Sequence, residues 1–436
     1  MKPAYDRLIP ALKNLLPVEP LEALGRAVAF IRRLREIRAS AFVWCVVLSR
    51  FGSGRPGFEQ ARQWYERLTS IQLWPRPFQM RFKQASAVGL FERAFEQAVD
   101  PWRNAADRRP RHLLGRRFCD IIAVDSTWMQ LADELRPIFK GTIGGIASLK
   151  VLLSVSLFGL VPIAAQMVAG NCQDMTLFPS LNLFRPETLL LFDKGFVAYD
   201  RLRQLQQASL KYLCPMRLNG NARVVGVRAA PAYVRKALKR HPDGVKLRDI
   251  LPKTRKLSRS WDLEVVLRPK AVAADKSPVR TRLVIVPGRK REQHPYLTNL
   301  SAVEWKPAAL RELYRLRWQI ELVFKELKQN LNLEILPSKD RYAVQIFAWA
   351  SLIALALSRT VAAWLCPLRR MIGLASAIRP MIITRALRAT VRLLARAMVA
   401  PLRQALHVLQ LFADELLAEA RALDAGREDS FKRLAA

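Results

Sequence analysis

The strongest constraint on how this chain folds lies in two short runs, IIAV at residues 121–124 and LLLF at residues 189–192. Each is uninterrupted by any polar residue, and each ends on an aspartate, Asp125 and Asp193. Four apolar residues in a row are too few for a helix, and they lack the alternation of a strand wetted on one face. They read as strands buried on both sides, which need helices packed over them and so point to an α/β fold. Each aspartate then emerges at a strand end from hydrophobic surroundings. Asp120 competes for the first position, but it precedes its apolar run instead of following it, and Asp125 is preferred.

The neighbouring stretches fit the same class. LKVLLSVSLFGLVPIAAQMVAG (149–170) reads as two β-rich runs folded about Phe158-Gly159, and LKYLCPMRL (210–218) as a further strand. QDMTLFPSLNLF (173–184) is expected to be a short helical stretch with Asp174 as a helix cap, and 199–208 to be helical. Residues 1–110 show helix-period apolar spacing and no strand pattern. From 219 to 300 the texture turns β-like and basic, with short runs such as ARVVGVRAA, WDLEVVLRP and TRLVIVPG between turn residues.

Charge narrows the partners. Against 72 Lys and Arg stand 36 Asp and Glu, a net charge of +36. A chain so charged repels itself unless a polyanion answers it, and nucleic acid is the expected one, since each neutralised phosphate releases counterions. An anionic membrane surface would also attract it. However, the longest apolar run, IFAWASLIALAL (346–357), is too short to span a bilayer and suits a buried helix. The first twenty residues carry charges and prolines where a signal peptide needs an apolar core, so the chain reads as soluble and intracellular. Five scattered cysteines and four distant histidines suggest neither a zinc site nor a disulfide framework, so any metal falls to carboxylates.

The segment YRLRWQIELVFKELKQNL (314–331) reads as one amphipathic helix. At about 100° per residue, Tyr314, Arg317, Glu321 and Lys328 share one narrow face, beside an apolar arc of Leu313, Leu316, Ile320, Val323, Phe324, Leu327 and Leu331. Glu326 falls roughly 120° from Tyr314 and is expected to face away from both stripe and core. Two strand-end aspartates and a helix glutamate are the minimum for carboxylate-held Mg²⁺. Two such ions about 4 Å apart activate an attacking oxygen and stabilise a leaving one, and phosphodiester cleavage is the natural reaction. Farther on, residues 341–413 hold ten arginines and no acid; Arg385, Arg388, Arg392 and Arg396 align on one helical face, expected to track DNA phosphates.

The spacing Tyr314-x2-Arg317-x3-Glu321-x6-Lys328 resembles the Y-R-E-K signature of DDE transposases of the fourth insertion-sequence family. VDST at Asp125, DKGF at Asp193 and YLTNL before the helix resemble its flanking blocks. The resemblance spans roughly residues 118–330. It implies a ribonuclease-H-like mixed sheet flanked by helices, with a β-rich insertion before the glutamate helix. It also implies metal-dependent cleavage and strand transfer of double-stranded DNA at terminal inverted repeats, by a homodimer assembled on DNA. Asp125, Asp193 and Glu321 would then hold Mg²⁺ or Mn²⁺, while Tyr314, Arg317 and Lys328 contact phosphates. An aromatic stacking on a flipped base would be sought near His294, Tyr296 and Trp305.

The expected organisation is a helical DNA-binding region at 1–110, including the cluster Arg32, Arg33, Arg35 and Arg38. The core then occupies 111–218 and 301–366 around an insertion at 219–300, and a basic helical region covers 367–436. The expected setting is the cytoplasm, on the nucleoid, with no membrane. Two competing readings are a non-catalytic DNA-binding descendant and a nuclease on the same core.

Overall fold

A computed structural model describes residues 8–33, 36–52, 56–104, 113–142, 145–216, 218, 222–251, 258–267, 278–288, 292–371, 380–399 and 402–423. Arg35 of the N-terminal arginine cluster lies outside them. The chain opens on helices α1 (Leu8–Leu15), α2 (Val18–Ala27), α3 (Ala39–Ser49), α4 (Phe58–Thr69), α5 (Pro75–Phe82), α6 (Ala85–Arg103) and α7 (Leu113–Arg117). The two expected buried runs become β1 (Ile121–Gln130) and, after the hairpin β2 (Ser148–Ser156) and β3 (Val161–Ala169), β4 (Leu189–Phe192). Helix α8 (Tyr199–Gln207) leads into β5 (Lys211–Pro215).

β1 pairs antiparallel with β2 and parallel with β4, which pairs parallel with β5. Side chains alternate across β1: Ile121 and Ala123 enter one core, Ile122 and Val124 the other. Both faces are covered, which is why the run shows no polar alternation. This is a ribonuclease-H-like core flanked by helices.

The stretch QDMTLFPSLNLF forms only two 3₁₀ turns, Asp174–Thr176 and Leu181–Leu183, in place of a helix. Pro179 within it has no N–H to give and disfavours helical backbone before it. The basic β-like stretch supplies β6 (Ala222–Ala229), α9 (Ala232–Arg240), β7 (Val245–Lys246), α10 (Leu247–Ile250), β8 (Trp261–Leu267), β9 (Val279–Pro287) and β10 (Gln293–Thr298). Its strands continue the core sheet. β10 pairs antiparallel with β5, giving ten strands in the order β3-β2-β1-β4-β5-β10-β9-β8-β6-β7. β5 is thereby spared an exposed edge.

The stripe segment is two helices, α11 (Pro307–Arg315) and α12 (Gln319–Asn330), joined by a 3₁₀ turn at Leu316–Trp318. All seven residues of the expected apolar arc are buried. The chain then forms α13 (Arg341–Met371), α14 (Pro380–Val399) and α15 (Leu402–Leu423). Within α13, residues Arg341–Leu365 are long and apolar enough to cross a membrane, yet most of them are buried inside the protein. It serves as the spine against which α3, α6 and α14 pack.

Candidate active site

Asp125 and Asp193 reach the same end of the sheet because β1 and β4 are parallel and in register. Val124 pairs with Phe192, so each aspartate is the next residue: Asp193 just past the end of β4, as expected, but Asp125 in the middle of β1, which continues to Gln130 along β2 instead of ending there. Strand alternation turns both toward the face that also buries Ala123 and Leu191. Helix α12 lies over β1 on this face, and Glu321 is in its first turn.

Arg317 joins the two sides. Its Nη1 donates to Asp125 Oδ2 at 2.6 Å and its Nη2 to Glu321 Oε1 at 2.8 Å. The Arg317 side chain is only 16% exposed. Burial works against its charge, but Tyr314, Asp125 and Glu321 outweigh that and raise its pKa. Asp125 also accepts from the Ser126 backbone N–H at 2.8 Å. Burial raises its pKa, and the nearby charges of Asp193 and Glu321 raise it further, against Ser126 and Arg317. Asp193 Oδ2 accepts a long 3.4 Å bond from Gly195 N, at the start of a 3₁₀ turn over Lys194–Phe196.

The rest of the stripe sits close by. The Tyr314 ring lies 5.1 Å from that of Tyr296, and the Arg317 guanidinium is 5.8 Å from its centre. Burial pushes the Tyr314 hydroxyl upward, so it stays protonated. Lys328 pairs with Glu334 at 2.9 Å and donates to the Trp128 carbonyl at 3.4 Å. The helix break at Leu316–Trp318 therefore leaves the stripe on one side.

Among the described residues, no group of three or more His, Cys, Asp or Glu is arranged to hold a metal ion as the side chains stand. Arg317 is the cation shared by two of the three acids. The donor set is all oxygen, and its members repel one another, which suits a hard divalent cation.

Several expectations are corrected here. Glu326 does not face away: it is 1% exposed and forms a two-pronged pair with Arg359, also 1% exposed. The apolar arc marked one packing face, but α13 and α14 cover α12 from a second side. On that side the buried Glu326 meets Arg359 of α13. Asp174 makes no cap; its Oδ1 accepts from Ser126 Oγ at 2.9 Å and pairs with Lys150 at 3.0 Å. Asp120 lies just before the start of β1, where it accepts from Ser156 Oγ and the Ile121 N–H. Tyr296 is buried, Trp305 stacks on Phe118 at 5.3 Å, and His294 stands 3.4 Å from Glu292.

On α14, Arg385, Arg392 and Arg396 are exposed, and no carboxylate pairs with them among the described residues. Arg388 is half-buried and donates to the Gln329 carbonyl at 3.2 Å. Sequence reasoning missed Arg359 and Arg50. Arg359 interrupts a strongly apolar helix and Arg50 directly follows one, which is the signal that such a cation needs buried partners.

Residues 117–357, more than half of the chain, match the family described as "Transposase DDE domain". The chain is 24% identical over 384 residues to the transposase for insertion sequence element IS231F of Bacillus thuringiensis subsp. israelensis, covering 79% of this chain and 78% of that one. It is 22% identical to the transposase for IS1151 of Clostridium perfringens, covering 80% and 79%. A 58-residue stretch is 41% identical to the transposase for IS421 of Escherichia coli, covering 13% and 16%.

Proposed function

The chain belongs to the DDE transposase family, and on that premise we propose that Asp125, Asp193 and Glu321 hold the divalent metal with which it cuts and joins DNA. The observation that supports this most is the single guanidinium of Arg317 held by Asp125 and Glu321, beside a register that sets Asp193 next to Asp125. These acids come from three distant parts of the chain and share one face. Mg²⁺ or Mn²⁺, two ions in the full reading, would activate the attacking oxygen and stabilise the leaving one there.

The chain's own residues do the rest. Arg317 neutralises the acids before DNA arrives, and a backbone phosphate competes with the carboxylates for its two prongs. Tyr314, as a protonated phenol, donates to the same strand. Lys328 contributes a point charge beside it. Arg385, Arg392 and Arg396 track phosphates along α14, and residues 1–110 form a further DNA-binding region, with the insertion at 219–300 and the basic region 367–436 completing the organisation. The active form is a homodimer assembled on paired transposon ends, in the cytoplasm and on the nucleoid.

The test is Glu321→Ala with DNA carrying the element's own ends. Cleavage should fall by a factor on the order of 1,000 or more, while end affinity stays within about threefold, because the substitution removes a metal ligand and leaves the phosphate-binding residues in place. Wild-type cleavage by this variant would remove Glu321 from the reading.

A further inference from the structure

We propose that Arg359 is a positioning residue for DNA cleavage, acting through Glu326 to set the rotation of α12 and with it the place of Glu321. The proposal rests on the reading of Glu321 as a metal-holding acid. Nη2 of Arg359 donates to Glu326 Oε2 at 2.6 Å and Nη1 to Glu326 Oε1 at 2.8 Å. The same guanidinium reaches Thr384 Oγ1 on α14 at 3.2 Å and, through Nε, the Leu160 carbonyl at 2.9 Å. One side chain of α13 thus ties α12 to α14 and to the turn of the β2–β3 hairpin. β2 is the strand paired with β1, which carries Asp125. A continuous path of directed bonds therefore runs from one acid of the site to the helix of another.

Stability is a poor reason for this arrangement. Burying two charges is expensive, and replacing such a pair by apolar residues is often neutral or stabilising. What the pair supplies is direction, because a planar guanidinium fork meets a carboxylate in one orientation. Glu326 lies about 140° around α12 from Glu321, so a hold on Glu326 fixes rotation.

Other contacts hold the end of α12. Arg50, fully buried, donates to the Asn332 and Ile335 carbonyls just beyond the helix, and Asn332 Nδ2 returns a 2.8 Å bond to the Arg50 carbonyl. These contacts fix where α12 stops; its buried apolar arc sets its rotation from the sheet side, and Arg359 holds it from the side of α13 and α14. A carboxylate about 5–6 Å from a helix axis moves ~1 Å for a rotation of about 10°. A displacement of that size can lower a rate on the order of 100-fold.

The experiment compares the full-length protein with Arg359→Lys, which keeps the charge but loses the fork, and with Glu326→Leu/Arg359→Met, which removes both charges. Single-turnover end cleavage, end-DNA affinity and Mn²⁺ affinity are measured well below each melting temperature. The expected result is cleavage down roughly 30- to 100-fold and Mn²⁺ affinity down about tenfold, with end affinity within about twofold. A role in stability alone would move the melting temperature and leave all three unchanged. Cleavage and Mn²⁺ affinity within about threefold of wild type in a folded variant overturn the proposal. If the double variant does not fold, Arg359→Lys decides. Asp125→Asn and Glu321→Gln run alongside: should they cut normally, the site assignment fails, whereas if they are inactive and Arg359→Lys cuts normally, only the positioning role fails.

Discussion

Arg317 shows how much one residue can carry: its guanidinium bridges the strand acid Asp125 to the helix acid Glu321. Asp120, a few residues before Asp125 on the same chain segment, shows the opposite case. Burial raises its carboxyl to about 6, against donors from Ser156 and Ile121 and the charge of Arg185. An acid raised in the folded state favours folding while protonated. That contribution is intact below about pH 4 and is lost as pH climbs through about 6. Asp120→Asn keeps an acceptor for both donors. It should therefore change stability little near pH 4 and stabilise the protein near pH 8, read from urea midpoints at about those two pH values. A difference that does not grow with pH contradicts burial as the cause. The strand end expected at Asp125 is not there: β1 runs on to Gln130, paired with β2, so the end of the apolar run marks where burial on both faces stops and not where the strand does.

At the scale of the element, helical phase made the stripe legible even though the helix breaks at Leu316–Trp318, since Arg317 and Glu321 still meet Asp125's side. Phase could not reveal Glu326, because periodicity records how much of a helix is apolar and not how many neighbours cover it. The same limit applies to α14. Its four aligned arginines read as equal, but Arg388 is turned to the Gln329 carbonyl, whereas Arg385, Arg392 and Arg396 stand exposed. Changing Arg385, Arg388, Arg392 and Arg396 together to Gln should weaken binding to specific and unrelated duplexes alike. It should also flatten the slope of log affinity against log salt by about 2 to 3, at ~0.9 for each phosphate no longer neutralised. Titration across salt concentrations measures this, and an unchanged slope in a folded variant would show that DNA lies elsewhere.

At the scale of the whole molecule, the α/β class and the buried strands could be read from local runs, whereas the continuation of the sheet from β5 into β10 could not. Pairing between Leu297 and Cys214 joins residues more than eighty positions apart, and nothing in either run's composition specifies its partner. The meeting of Asp125 and Glu321 on Arg317 is likewise a property of the assembled chain, and the central claim is the proposal that these two acids and Asp193 hold one metal site. Its most direct test is to replace each acid in turn with cysteine and assay end cleavage in Mg²⁺, Mn²⁺ and Cd²⁺. A thiolate is a poor ligand for Mg²⁺ and a good one for softer ions. The account predicts that all three folded, DNA-binding variants are inactive in Mg²⁺ and that Mn²⁺ or Cd²⁺ restores measurable cleavage. Wild-type cleavage in Mg²⁺ by any one of them, or no recovery in any of them with the softer ions, would contradict it.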